Sequence, residues 1–183
     1  LGGIAGVDVA YLDSLLVLGA DKYSDIVAIH PYPRQFSNAP EQDGIFEDLK
    51  RIDYIVQSFS KPIWITEFGW PTDSAIGVSE EAQAQFLVRA SLLFLTNENI
   101  KKIFSYDLRD DGFDRQNPED NFGIVRRDYS EKISFVAMRN MITILEDGLF
   151  LRSESSGGIY NLVFEKNGYL VYALWSAHGV YKM

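Results

Sequence analysis

One carboxylate of this sequence stands in an unusual place, at the end of an apolar run. In "KPIWITEFGWPT" (residues 61–72), Ile63 and Ile65 lead to Glu67, and aromatic residues follow it. Alternate side chains of a strand share a face, so we expect Glu67 to share one with the two isoleucines. A carboxylate on an apolar face needs a hydrogen bond, an ion pair or a function. The pattern indicates a nucleophile or general base; a buried glutamate held by an arginine such as Arg109 is the structural alternative.

Two further polar side chains close the preceding apolar run, "SDIVAIHPYP" (residues 24–33). His30 is a candidate hydrogen-bond donor to a substrate hydroxyl or to Glu67. The alternative for His30 is an imidazole that is satisfied inside the core. Tyr32 has the same two possible roles.

A third apolar run, "IKKIFSYDL" (residues 100–108), ends in Tyr106 and Asp107. The loop that continues it, "DLRDDG" (residues 107–112), holds three acids and Arg109. Such a loop could ligate a cation or bind a hydroxyl group of a substrate. A solvated loop whose charges pair with one another is the simpler alternative.

These three polar ends form one site only if their strands lie side by side. Segments with helical spacing separate and follow the strands, at residues 11–20, 44–59, 79–98 and 130–147. Strands that alternate with helices predict a parallel sheet between helices, either an α/β barrel or a doubly wound sheet. In both folds the active site lies at the carboxyl ends of the strands.

The pattern changes after Gly148, where short strand-like segments replace the helices. The pair Asn167-Gly168 predicts a hairpin, because both residues readily take the positive φ angles of a type I′ turn. We therefore predict a β/α domain over residues 1–148 and a strand tail, an incomplete β-domain, over residues 149–183.

The composition excludes several classes of function. The 183-residue chain has 26 acids, 17 bases and a net charge of −9, which argues against nucleic acid or an anionic membrane as partner. It has no cysteine, which excludes thiolate chemistry and cysteine-ligated metals. It has two histidines, His30 and His178, too few for a zinc site of several imidazoles. No glycine-rich phosphate loop follows a strand, and we predict neither a cofactor nor a metal.

Four motifs in order resemble the last part of clan A retaining glycoside hydrolases, in particular their family 39-like and family 5-like members. The motifs are "DIVAIHPYP", "KPIWITEFGWPT", "IFSYDLRDDG" and "NFGIVRRDYSEK". Those enzymes fold as (β/α)₈ barrels, often followed by a β-domain. Because "LGGIAG" resembles the end of the fifth strand, the resemblance implies strands five to eight. The implied fold is a half TIM-type barrel over residues 1–148 with a short C-terminal antiparallel β element.

The resemblance also implies roles for the candidate residues. Glu67 corresponds to the nucleophile after the seventh strand, and His30 and Tyr32 lie near it after the sixth. The implied reaction on β-linked sugars is a retaining double displacement, in which Glu67 attacks the anomeric carbon and water releases the sugar. The implied partner is a carbohydrate, either an oligo- or polysaccharide or an aryl glycoside. The residues implied in substrate binding are His30, Tyr32, Trp70, Tyr106, Asp107 and Arg109. Trp70 and Tyr106 would stack on sugar rings, with ordinary wall packing as the alternative.

The sequence departs from the family at the general acid/base, which is usually the Glu of an Asn-Glu pair after the fourth strand. The pair Asn97-Glu98 here ends a helix before the third strand, so its position excludes that role. Other candidate sources are the acids Asp107, Asp110, Asp111 and Glu119, or a second copy of the chain. A carbohydrate-binding pseudoenzyme and an inactive truncated product are therefore alternative functions.

Half a barrel also leaves strand edges and an apolar inner face open to solvent. We therefore expect either a missing N-terminal half or a homo-oligomer that closes the sheet.

Overall fold

The computed structural model describes residues 2–177; residues 178–183, with His178, and the side chain of Val56 lie outside the described part. The parallel part consists of β1 (Ile4–Ala5), α1 (Val9–Val17), β2 (Val27–His30), α2 (Ile45–Phe59), β3 (Ile63–Ile65), α3 (Glu80–Phe94), β4 (Ile100–Ile103) and α4 (Ile133–Leu145). Three further strands follow, β5 (Leu149–Ser153), β6 (Ile159–Lys166) and β7 (Tyr169–Ser176).

The helices begin and end at residues that suit those positions. Ser79 precedes α3 and its hydroxyl accepts a hydrogen bond from the Ala82 amide, while Glu80 and Glu81 lie in the first turn. A capping hydroxyl and acids are both favourable there, because the amides of the first turn have no helical acceptor. Helix α1 is followed by Gly19 at a φ of 79°, the left-handed conformation that commonly ends a helix.

The first sheet has the order β1-β2-β3-β4, with all neighbouring strands parallel. This sequential order is that of a barrel; a doubly wound sheet reverses its order at a switch point. Ile29 and Ile65 lie side by side, both fully buried in the core shared with the helices. Ala28 pairs with Trp64 on the opposite face. The carboxyl ends of β2, β3 and β4 therefore meet at one edge, as the sequence predicts.

The second sheet is antiparallel, in the order β5-β6-β7. Its β6–β7 turn has Asn167 at a φ of 53° and Gly168 at 82°, which confirms the predicted hairpin. The sheet packs on the helices: Phe164 joins the main core, and the Trp175 indole donates to the Glu41 carboxylate over 2.7 Å. Since the two parts share one core, their division into two domains stays a prediction.

Candidate active site

The strand that leads to Glu67 ends two residues before it, at Ile65. The last hydrogen bond to the β2 segment joins the Thr66 amide to the Ile29 carbonyl. The Glu67 side chain is 37% exposed and lies 3.5 Å from His30, which follows Ile29 and so faces away from Ile29 and its neighbour Ile65. The expectation that Glu67 shares a face with Ile65 is therefore wrong, because the alternation of side chains holds only while the strand continues.

Glu67 has two neighbours, both from the end of β2. The Tyr32 hydroxyl donates to Glu67 Oε2 over 3.0 Å, and His30 Nδ1 lies 3.5 Å from the same oxygen. Among the described residues none donates a hydrogen bond to Glu67 Oε1. Burial and the charge of Glu67 raise the pKa of Tyr32, which keeps the phenol protonated and able to donate. One carboxylate oxygen is thus held, while the other has no hydrogen-bond donor among the described residues.

His30 is itself fixed from its other side. Its Nε2 lies 2.9 Å from the hydroxyl oxygen of Thr66, the residue just before Glu67. A Cβ added to Gly3 would come within 1.9 Å of His30 Nε2, so the ring lies directly against the β1 backbone. The sequence analysis did not single out Thr66; the available signal was its position at the end of the apolar run, directly before Glu67.

Tyr106 is brought beside Tyr32 by close contact between the segments after β3 and β4. The Tyr106 amide donates to the Phe68 carbonyl over 2.7 Å, and a Cβ on Gly69 would come within 2.1 Å of the Tyr106 carbonyl oxygen. The rings of Tyr32 and Tyr106 meet edge to face at 6.3 Å, and Phe122 packs at 5.3 Å from Tyr106. Phe122 was not predicted as part of this aromatic wall.

The acids after β4 differ sharply in their surroundings. Lys132 is 1% exposed and its ammonium donates to Asp110 over 2.7 Å and to the Thr72 hydroxyl over 3.0 Å. Burial lowers the pKa of Lys132, and hydrogen bonding to Asp110 opposes that shift. Asp110 is therefore committed to a buried ion pair. Sequence reasoning missed Lys132, since nothing local marks a lysine at a helix start as buried.

Asp107 has a buried oxygen, Oδ1, without a hydrogen-bond partner in the described part of the chain. Burial, together with the charges of Asp111 and Asp110, raises the pKa of Asp107 to about 6. A carboxyl group in this state holds its proton to higher pH than an ordinary aspartate does. Asp111 and Glu119 are exposed.

Trp70 and Arg109 contact groups other than Glu67. Trp70 is 3% exposed, its indole donates to the Asn38 carbonyl over 3.2 Å, and it packs against Phe86. A buried indole has no free face for a sugar, so the structure favours the packing alternative. The Arg109 guanidinium lies 4.6 Å over the Tyr129 ring, whereas the neighbours of Glu67 are Tyr32 and His30, so the alternative of a glutamate held by Arg109 is not found.

The described residues contain neither a membrane-spanning helix nor a cluster that could bind a metal. No helix there is both long and apolar enough to cross a bilayer. Within the same residues, no group of three or more acidic or histidine side chains is arranged to hold a metal ion.

A family model for the glycosyl hydrolase catalytic core matches residues 9–122, which is more than half of the chain and includes Glu67 and its neighbours. The chain belongs to the glycosyl hydrolase catalytic core family. A search of curated protein sequences gave no match.

Solved structures of glycosidases are similar in fold to this glycosyl hydrolase chain. A family 39 glycoside hydrolase from the gut symbiont Bacteroides cellulosilyticus WH2 is 26% identical with a TM-score of 0.76, over 93% of this chain and 38% of that one. The β-glucuronidase of Lactobacillus rhamnosus is 22% identical with a TM-score of 0.58, over 76% of this chain and 25% of that one. A β-glucuronidase of Faecalibacterium prausnitzii is 18% identical with a TM-score of 0.57, over 78% and 24%.

At 22% and 18% identity, the two glucuronidases show only a similarity in fold to this chain. The chain spans 38% of the length of the family 39 structure. The predicted fold class, a partial (β/α) barrel with an antiparallel β element, is confirmed.

Proposed function

We propose that this chain carries the nucleophile of a retaining glycoside hydrolase that acts on β-linked carbohydrates, and that Glu67 is that nucleophile. The observation that carries the proposal is the unequal use of its two oxygens. Oε2 accepts from Tyr32 and faces His30, while Oε1 is free at the carboxyl edge of the sheet. A carboxylate held in this way is oriented for attack without being neutralised.

The proposed reaction has two steps. Glu67 Oε1 attacks the anomeric carbon as the bond to the leaving oxygen breaks, and a glycosyl ester forms. A general acid gives its proton to the leaving oxygen. Water then attacks the same carbon, passes its proton to the resulting base and releases the Glu67 carboxylate. Tyr32 stays bonded to Oε2, where it stabilises the carboxylate as that group leaves.

The proposal assigns the nucleophilic step to this chain and does not depend on where the general acid comes from. A leaving group that departs as a stable anion needs little protonation, so the first step can be tested alone. Retaining enzymes place their two carboxyl groups about 5–5.5 Å apart. Among the acids considered from sequence, Asp110 is excluded as the free partner by its bond to Lys132.

The decisive experiment traps the glycosyl ester. The probes are dinitrophenyl β-glycosides that carry fluorine in place of the hydroxyl at C2. Fluorine slows both steps because it destabilises the positive charge of their transition states, but the dinitrophenolate leaving group keeps the first step fast. The glycosyl ester therefore accumulates. A panel of glucoside, xyloside and galactoside probes is incubated with the whole chain. We expect intact mass to rise by one fluoro-sugar and peptide mapping to place it on Glu67.

Two matched variants complete the test. The adduct should be absent in Glu67→Gln and should persist in Glu98→Gln, an exposed glutamate before β4 at the opposite end of the sheet. An adduct on a different carboxylate would reject Glu67 as nucleophile. Sugar binding without any adduct would instead support the carbohydrate-binding alternative.

A further inference from the structure

We propose that Glu67 sets the tautomer of His30, with the proton of the neutral ring on Nδ1, and that Thr66 is a positioning residue whose hydroxyl donates to Nε2 of that tautomer and holds the ring in place. The meaning of this arrangement for catalysis rests on the proposed function, but the tautomer itself does not.

The direction of the two contacts follows from what each group can do. A carboxylate only accepts hydrogen bonds, an imidazole nitrogen either donates or accepts, and a hydroxyl does both. His30 Nδ1 lies 3.5 Å from Glu67 Oε2, where a lone pair would be repelled by the negative oxygen. The proton of the neutral ring therefore belongs on Nδ1. Nε2 then carries the lone pair, and the Thr66 hydroxyl at 2.9 Å is placed to donate to it.

The sheet holds these groups in place. Ile29 pairs with Ile65 between β2 and β3, and the Thr66 amide donates to the Ile29 carbonyl over 3.1 Å. Thr66 and His30 are therefore held on neighbouring strand ends. Gly3 brings the β1 backbone against Nε2, which leaves no room for the ring to move toward β1. The branched Thr66 side chain also has few χ1 rotamers to choose from.

The consequence is a second polar group beside the oxygen that Tyr32 already holds. Protonated Nδ1 lies 3.5 Å from Glu67 Oε2, next to the hydrogen bond from Tyr32, and Oε1 has no donor among the described residues. Without the Thr66 hydroxyl, Nε2 has no donor and the ring is free to turn away from the carboxylate.

The tautomer can be read directly by nitrogen-15 NMR of the whole chain at a pH where the imidazoles are neutral. Only His30 and His178 contribute imidazole signals, and His178→Gln assigns them. We expect His30 to show a protonated Nδ1 and an unprotonated Nε2, unchanged in Thr66→Ser. In Glu67→Ala, which removes the negative oxygen, the proton should shift toward Nε2. In Thr66→Val, which keeps the shape but not the hydroxyl, the proton should stay on Nδ1 and the Nε2 signal should move toward that of a nitrogen without a hydrogen bond.

Two results would overturn the proposal. One is a wild-type spectrum with His30 protonated mainly on Nε2, which needs no variant and so does not depend on how a variant folds. The other is an unchanged Nε2 signal in folded Thr66→Val; Thr66→Ala serves if the valine variant does not fold.

A kinetic measurement separates this proposal from the function itself. We expect Thr66→Val to lower the maximal trapping rate with the fluoro-glycosides by about tenfold, the lower end for a hydrogen bond to a charged group. The probe concentration for half-maximal rate should change little, and Thr66→Ser should restore the rate. An unchanged rate beside a shifted Nε2 signal in Thr66→Val would reject the catalytic consequence. Failure of wild-type trapping would reject the proposed function and leave the NMR result intact.

Discussion

At the scale of single residues, three acids near one edge of the sheet are distinguished by their surroundings. Glu67 is partly exposed and held through one oxygen, Asp110 is tied to buried Lys132, and Asp107 has a buried oxygen with no partner among the described residues. The same chemical group can thus serve as a nucleophile, an ion-pair partner or a proton carrier. Environment decides which role is open to each.

Replacing Tyr32 with Phe tests how much the held oxygen matters. The ring would remain in its aromatic contacts while the 3.0 Å bond to Glu67 is lost. Hydrogen bonds to charged groups contribute about 1.5–3 kcal/mol, so we expect the trapping rate to fall about 10- to 100-fold. Circular dichroism serves as the control for folding. A rate equal to wild type would show that Tyr32 does not orient Glu67.

The raised pKa of Asp107 predicts a pH-dependent effect on stability. Between the ordinary aspartate pKa and about 6, the folded chain binds a proton that the unfolded chain has lost. The contribution of Asp107 to stability is therefore present below this range and is lost as pH rises through about 6. Asp107→Asn, which stays neutral, should raise the melting temperature by a few degrees at about pH 7.5 and much less at about pH 4.5.

The control for Asp107→Asn is Asp25→Asn, which replaces an exposed aspartate before β2. We expect its effect to be small at both pH values. Equal effects of Asp107→Asn at the two pH values would contradict the predicted proton uptake.

At the scale of elements, the site depends on how closely the segments after β3 and β4 approach each other. Gly69 lies at the contact, since a Cβ there would meet the Tyr106 carbonyl oxygen at 2.1 Å and Phe122 at 3.2 Å. The parallel strands fix the direction of the two segments. The contact at Gly69 then sets the distance between Glu67 and the aromatic wall. Buried Gln83 supports the same region by donating to the carbonyls of Trp70 and Phe122 over 2.9 and 3.1 Å.

Gly69→Ala should therefore push the two segments apart. Overpacking typically costs about 1–3 kcal/mol, which we expect as a loss in the free energy of unfolding measured with urea. The trapping rate should fall as well, because Tyr106 packs against Tyr32. Gly2→Ala is the control: its Cβ would have no atom within 4 Å, and we expect a change within about 0.5 kcal/mol. Equal stability of the two variants would show that the contact is not tight.

At the scale of the whole molecule, the parallel sheet has two open edges. In the described part of the chain, β1 and β4 each pair with one strand only. An apolar groove runs beside β4, lined by residues of that strand and of the last two helices, including Ile100, Ile103, Met138 and Met141. Phe104 follows β4 and is 47% exposed. Edges and apolar surfaces of this kind favour association.

We therefore expect the 183-residue chain by itself to self-associate, which retains the sequence-based prediction of a homo-oligomer. Light scattering on the purified chain should give a mass at least twice that of one copy, which is 20.8 kDa. Added salt should not dissociate the oligomer, because salt screens interactions between charges and not apolar contacts. A sharp monomer mass would reject the prediction.

Much of the fold follows from the sequence because its signals are local. Helical spacing and the Asn167-Gly168 turn each involve residues a few positions apart, and both are found as predicted. The ends of elements are less well determined: the segment 62–68 reads as one strand, yet β3 is Ile63–Ile65. Strand ends depend on where the neighbouring strands stop pairing, which lies elsewhere in the sequence.

The sequence by itself determined which side chains follow each strand and that they share an edge. Tertiary structure alone decided that Glu67 is held by Tyr32, that Thr66 meets His30, and that Trp70 is buried. The physical reason is distance along the chain. The first two contacts join residues 35 and 36 positions apart, so they depend on the register of neighbouring strands and the packing of their loops, which no local pattern specifies.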